Sequence, residues 1–150
     1  MIWKKYRPRR EGECHVDLNG EDVIADFEMG IIETGRQREY SGHYIKMLGP
    51  NGEEWLGEDA SSVRAALRAL DKDVGRDRGR LLCAGLLDGF HESGLSVDTG
   101  FGYIDGYPRA VHMMERPRLL AMDEAAAAAI APSRAAEVLR SLRERMRDEP

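Results

Sequence analysis

The chain of 150 residues is long enough for a hydrophobic core, and we predict one domain over residues 1–150. Its charge is unevenly distributed, because the first ten residues, MIWKKYRPRR, hold five of the 22 Lys and Arg and no Asp or Glu. Residues 11–150 therefore have 17 Lys and Arg against 27 Asp and Glu, a net charge of −10. This acidic body argues against nucleic-acid binding, because phosphate contacts need clustered cations. It fits a basic protein partner, and it also fits a surface whose charge only keeps the protein in solution.

The cysteine pattern and the lack of long apolar runs predict a location. Cys14 and Cys83 belong to no CxxC motif or Cys/His cluster, which is typical of small core residues in a reducing compartment. The basic N-terminus has no apolar segment behind it, so we expect no secretory signal. No apolar run approaches the length of a membrane span. We therefore expect a cytoplasmic protein that does not bind membranes.

The N-terminal third predicts antiparallel strands. Residues 1–10 leave two alternatives open, a strand over Ile2–Tyr6 that Pro8 interrupts or a frayed basic arm. Asn19-Gly20 then lies between two segments of alternating polarity and predicts a two-residue type I′ hairpin turn, because both positions need positive φ. Such a turn sets Val16 opposite Val23, so the apolar positions of both strands meet on one face.

The meander continues to residue 57 and leads into a helix. We predict a third strand over Tyr40–Leu48, a turn at Gly49–Gly52 and a short strand around Trp55. Residues Asp59–Ser61 are suited to cap a helix that stops at Gly75. Residues at helical spacing predict its buried stripe: Ala60, Val63, Leu67, Leu70 and Val74.

The rest of the chain predicts a second group of elements. Arg80–Leu87 reads as a strand buried on both faces, with a short helical segment as the alternative. Phe101–Ile104 and Tyr107–Met114 predict a hairpin around Asp105-Gly106. Two C-terminal helices are expected within residues 120–148. The predicted fold class is α+β, a mainly antiparallel sheet packed with one central helix and two C-terminal helices.

The glycines after residue 99 invite comparison with a nucleotide-binding motif. Gly100, Gly102 and Gly106 form GxGxxxG, one residue longer than the dinucleotide fingerprint, and they lead into a hairpin turn where that motif needs a helix N-terminus. We therefore predict no nucleotide binding and no cofactor. The glycines are expected to permit turns or a close approach of the backbone.

An enzyme is the alternative function. The segment after Phe90 contains the residue types of a Ser–His–acid hydrolase, namely His91, Glu92, Ser93, Ser96 and Asp98. No GxSxG motif sets a serine on a strand-to-helix turn, and the four histidines have neither HxH nor HExxH spacing, so we predict no metal. The alternative is thus a small hydrolase or metal-dependent enzyme built from residues of the 91–112 region, His91, Glu92, Asp98 and His112.

The run FHESGLSVDTGFGYIDG, followed by VHMM, resembles immunity proteins of bacterial contact-dependent growth inhibition systems. The resemblance implies an acidic protein that neutralises a toxin domain, commonly a nuclease, by covering its active site. Aromatic residues beside acidic ones are typical of interface hot spots, although some are also expected to close the core. The hypothesis is therefore an immunity-type protein that binds a basic toxin through an acidic, aromatic-edged surface. Its residues are Asp88, His91, Glu92, Asp98, Phe101, Tyr103, Asp105 and Tyr107.

Overall fold

The structure, a computed structural model, describes residues 4–35, 39–87, 89–92, 99–105, 107 and 109–116. The chain divides into two compact units, Met1–Leu81 and Leu82–Pro150. The two predicted C-terminal helices lie outside the described residues, as do Asp88 and Asp98.

The first unit is an antiparallel five-stranded sheet with one helix, which confirms a mainly antiparallel α+β fold with a central helix. Its strands lie in the order β4-β3-β2-β1-β5. The elements are β1 (Lys4–Leu18), β2 (Glu21–Thr34), β3 (Glu39–Leu48), β4 (Glu54–Asp59), the helix α1 (Val63–Gly75) and β5 (Gly79–Leu81).

The turn between β1 and β2 has the predicted geometry. Asn19 has φ +54° and Gly20 has φ +91°, as a type I′ turn requires. The register sets Val16 opposite Val23 and Cys14 opposite Ala25. The hairpin prediction is therefore confirmed in its turn and in its register.

Strand β1 begins before Pro8 and continues past it. Residues 4–8 pair with the end of β2, and a register shift falls between Pro8 and Arg10. A bulge tolerates proline because the missing N–H then leaves no gap in the regular ladder. The structure shows the strand and not the arm over residues 4–10, but Pro8 shifts its register and does not interrupt it.

Helix α1 covers one face of the sheet and buries its apolar side chains. The N-cap is Ser62, whose Oγ accepts a hydrogen bond from the Ala65 N–H at 2.9 Å. Ala60 precedes the helix and is exposed, so its placement in the buried stripe is wrong. The buried residues of α1 are Val63, Ala66, Leu67, Leu70 and Val74. On the sheet face beneath them the buried side chains include Cys14, Val16, Ala25, Met29, Ile45, Met47 and Trp55.

The predicted strand over Arg80–Leu87 is wrong as one continuous element. β5 ends at Leu81, and a 3₁₀ turn follows at Ala84–Leu86. The Ala84 and Gly85 N–H groups donate to the carbonyls of Glu115 and Met113, at 2.8 and 2.9 Å. Because these bonds satisfy the backbone outside a ladder, the apolar run is buried without being a strand.

The second unit contains a three-stranded antiparallel sheet in the order β6-β7-β8. Its strands are β6 (Phe90–Glu92), β7 (Phe101–Ile104) and β8 (Val111–His112). The bounds of β7 are as predicted, but the hairpin partner is shorter: β8 has two residues, and its His112 lies opposite Phe101. β6 was not predicted, and it makes β7 the central strand. Among the helices that the structure describes, none has both the length and the apolar character needed to cross a membrane.

Candidate functional site

The central strand β7 presents two aromatic side chains outward. Phe101 and Tyr103 are 37% and 57% exposed, whereas Ile104 of the same strand is buried. This follows from strand alternation, because successive side chains point to opposite faces. His91 of β6 lies directly opposite Tyr103. We call His91, Phe101, Tyr103 and Asp105 the outer face.

His91 and Asp105 close one end of the outer face. The Nε2 atom of His91 lies 3.0 Å from Oδ2 of Asp105, and both side chains are exposed. The Asp105 N–H donates to the Gly89 carbonyl at 3.0 Å, which ties the end of β7 to the residue before β6. An exposed pair of this kind contributes little to stability. The Asp105 side chain is 68% exposed, so a cation can approach its carboxylate from solvent.

Phe101 rests on a buried histidine. The Phe101 and His112 rings meet edge to face with centroids 4.9 Å apart, and His112 is 1% exposed. The Nε2 atom of His112 lies 2.8 Å from the Thr99 carbonyl, and Nδ1 lies 3.2 Å from the Met114 N–H. These partners assign a neutral ring that donates through Nε2 and accepts through Nδ1. His112 thus packs against the edge of the Phe101 ring as its cross-strand neighbour.

A cation lies in the connection after β7. Arg109 forms an ion pair with Glu115 at 3.2 Å, and the hydrogen bond to Glu115 raises the pKa of the guanidinium. The guanidinium also lies 5.8 Å from the centre of the Tyr107 ring. The same Glu115 accepts the His112 N–H at 2.6 Å, which links the ion pair to β8. Tyr107 lies beside a positive group, and its side chain is only partly exposed.

The structure brings together four of the eight predicted partner-binding residues, those of the outer face. Glu92 lies opposite Gly102, on the side where Phe90 is buried, and so it points away from His91. Tyr107 follows in the β7–β8 connection. Sequence reasoning missed the contact between His91 and Asp105, which are 14 residues apart. No local pattern marks it, because it depends on the pairing of β6 with β7.

The three residues of the enzyme alternative that the structure describes do not form one cluster. His91 is exposed on the outer face, Glu92 points to the opposite face, and His112 is buried beside Phe101. Across the described ranges no three His, Cys, Asp or Glu side chains lie together as metal ligands would.

Gly102 has a structural role, since a Cβ there would lie 2.3 Å from the His91 carbonyl oxygen. That close approach is what the glycine pattern predicted in place of nucleotide binding.

A comparison of the sequence with models of known protein families and with curated proteins found no match.

Proposed function

We propose that this protein is an immunity-type binding protein that neutralises a cognate bacterial toxin domain through its outer face. The observation that carries the proposal is the exposure of Phe101 and Tyr103, side by side on a strand paired along both edges. Large aromatic side chains that are already held in place lose little entropy on binding, and they dominate interface energetics. The resemblance to immunity proteins supplies the class of partner.

The charge of the chain supports a basic partner. Residues beyond the first ten carry a net charge of −10, with 17 Lys and Arg against 27 Asp and Glu. Asp105 adds an exposed carboxylate at the end of the outer face. Complementary charge accelerates encounter and fixes orientation. A toxin domain with a basic active-site surface, as nucleases have, fits this requirement.

The experiment is purification of the tagged full-length protein from its own cells, with identification of the chains that copurify. The proposal expects a partner that is toxic when expressed alone and harmless when expressed with this protein. Tyr103→Ala should raise the Kd for that partner by roughly 30-fold, the loss typical of a hot-spot aromatic residue. Tyr103→Phe is the matched control, because it keeps the ring, and its Kd should stay within about threefold of the parent.

Two results would contradict the proposal. One is a partner whose toxicity is unchanged by this protein. The other is equal affinity of the parent and Tyr103→Ala, which would remove the outer face from the interface even if a toxin is bound.

A hydrolase is the second candidate, and one contact favours it. The Asp105 carboxylate lies 3.0 Å from the His91 ring, as the orienting group does in a His–carboxylate base. A screen of ester and phosphate substrates tests this function. Turnover that disappears in His91→Ala but persists in Tyr103→Ala would replace the binding proposal with an enzyme.

A further inference from the structure

The face of the five-stranded sheet opposite α1 carries large aliphatic side chains in contact with solvent. Ile24, Leu48 and Leu56 are 50%, 46% and 38% exposed. They come from three different strands, β2, β3 and β4. Exposed aliphatic residues are unremarkable when scattered, but grouped ones mark interaction surfaces. Their positions on the sheet decide which case applies.

The register of the sheet places these three residues on one diagonal. Asp26 lies opposite Leu48, which makes Ile24 and Leu48 diagonal neighbours. Lys46 lies opposite Leu56, which makes Leu48 and Leu56 diagonal neighbours in the same direction. Diagonal neighbours are about 7–8 Å apart, so the three side chains form a straight apolar stripe of roughly 15 Å. We call it the aliphatic diagonal.

Carboxylates lie on both sides of the aliphatic diagonal. On the β4 side Glu54 lies opposite Leu48. On the β1 side two pairs of acidic residues lie opposite each other, Glu13 with Asp26 and Glu11 with Glu28. One cation, Lys46, lies opposite Glu28 on the neighbouring strand. The β1-side groups and Leu48, without Glu54, are among the residues that line a depression of about 480 Å³. Like charges placed opposite one another destabilise a sheet, and a bound cationic group relieves that repulsion.

We infer that this open face binds an amphipathic helix of a partner protein, with apolar residues on the aliphatic diagonal and Lys or Arg against the carboxylates on both sides. A helix of about ten residues spans 15 Å at its rise of 1.5 Å per residue, and its i, i+3, i+4, i+7 stripe matches the diagonal in length. The partner helix must be basic, because the rim of this surface has five carboxylates and one lysine. This surface lies in the first unit and does not depend on the proposed function of the outer face.

The test is a titration of the full-length protein into a fluorescein-labelled 14-residue peptide of leucine and lysine, patterned as an amphipathic helix and followed by anisotropy. Asp26→Lys with Glu54→Lys reverses the rim on the two sides of Leu48. Glu21→Lys with Glu39→Lys is the matched control, because it changes the net charge equally at exposed positions that begin β2 and β3. Thermal melts by circular dichroism verify that both double variants fold.

The inference expects the rim variant to bind about tenfold more weakly than the parent or worse, and the control to stay within about twofold. Leu48→Asn should also weaken binding by about tenfold, because it interrupts the apolar stripe without changing charge. Amide hydrogen exchange should show protection in β2–β4. Tyr103→Ala should leave this binding unchanged, which separates it from the outer face.

Three outcomes overturn the inference. Equal weakening in the rim variant and the control means that only bulk charge attracts the peptide. If Leu48→Asn binds the peptide as tightly as the parent, the aliphatic diagonal is not part of the contact. Self-association of the parent that the rim variant abolishes, measured by sedimentation equilibrium without peptide, assigns the face to a second copy of this chain.

Discussion

At the scale of single residues, Asp59 shows how one carboxylate organises the start of α1. Its Oδ2 atom accepts hydrogen bonds from the Ser61 hydroxyl at 2.7 Å and from the Ser61 and Ser62 N–H groups at 2.8 and 2.9 Å. These bonds, the Ser61 hydroxyl first, lower the pKa of Asp59. The Ser62 N–H belongs to the N-cap and is one of the backbone donors that a helix start leaves without intrahelical partners.

Asp59→Ala should lower the melting temperature at pH 7, and the difference from the parent should shrink in acid. A group whose pKa is lower in the folded state stabilises the fold above its ordinary value, here 3.8, and loses that contribution as the pH falls through the lowered pKa. Melts by circular dichroism between pH 7 and pH 2.5 measure this. Glu39→Gln is the control for loss of an exposed carboxylate. A melting difference that is the same at both ends of the range would contradict the assignment.

His112 is a second residue whose role depends on its hydrogen bonds to the backbone. On sequence grounds it is one of the residues of the hydrolase or metal-dependent alternative. The structure buries it and gives partners to both ring nitrogens. Only the fold of residues 99–114 brings the Thr99 carbonyl and the Met114 N–H to the two sides of the ring. A histidine whose two ring nitrogens both have backbone partners can therefore be part of the core.

At the scale of elements, the packing of α1 on the sheet depends on one glycine in β4. A Cβ at Gly57 would lie 2.2 Å from the Ala66 carbonyl oxygen and 2.3 Å from the Leu70 nitrogen. Both atoms belong to the backbone of α1, so neither moves without the helix. The absence of a side chain at residue 57 allows the helix to approach the sheet this closely.

Gly57→Ala should therefore destabilise the protein by roughly 2–4 kcal/mol, the range of severe overpacking. Gly75→Ala is the matched control: a Cβ there meets open space, and alanine in the last turn should leave stability unchanged or raise it by up to about 1 kcal/mol. Urea unfolding gives both values. Equal stability of Gly57→Ala and the parent would mean that α1 lies farther from β4 than described.

At the scale of the whole molecule, the two units present different surfaces. The outer face combines two aromatic side chains with an exposed carboxylate, whereas the open face of the first unit combines an aliphatic diagonal with an acidic rim. A negative charge on both suits basic partners, since long-range attraction acts on encounter before any contact forms.

Asp105→Lys should slow association with the partner that copurifies, by about tenfold at low salt, and leave dissociation nearly unchanged. The reason is that an exposed charge at the edge of an interface acts mainly on encounter. Surface plasmon resonance at 50 and 500 mM NaCl measures both rates, and the difference from the parent should vanish at high salt. Glu39→Lys, the same charge reversal in the other unit, is the control. An identical effect in both variants would show that net charge alone is responsible.

The sequence by itself determined the elements whose signals are local. Asn19-Gly20 predicted the turn, and period-two alternation predicted the register of β1 with β2, because a slip of one residue would expose the apolar face. Helical spacing predicted four of the five buried residues of α1. The hairpin pattern around Asp105-Gly106 also predicted β7 with its bounds.

The tertiary structure alone decided what depends on distant pairing. β6 has three residues, too few for a periodic signal, yet its pairing with β7 brings His91 to Asp105 and turns Glu92 to the opposite side. The bulge that carries β1 past Pro8 likewise depends on β2 as its partner. Local patterns determine which side of an element is apolar, because burial acts on each residue. Which elements meet is decided by packing and backbone pairing between segments far apart in the chain. The pairing of β6 with β7 therefore decided which residues form the outer face.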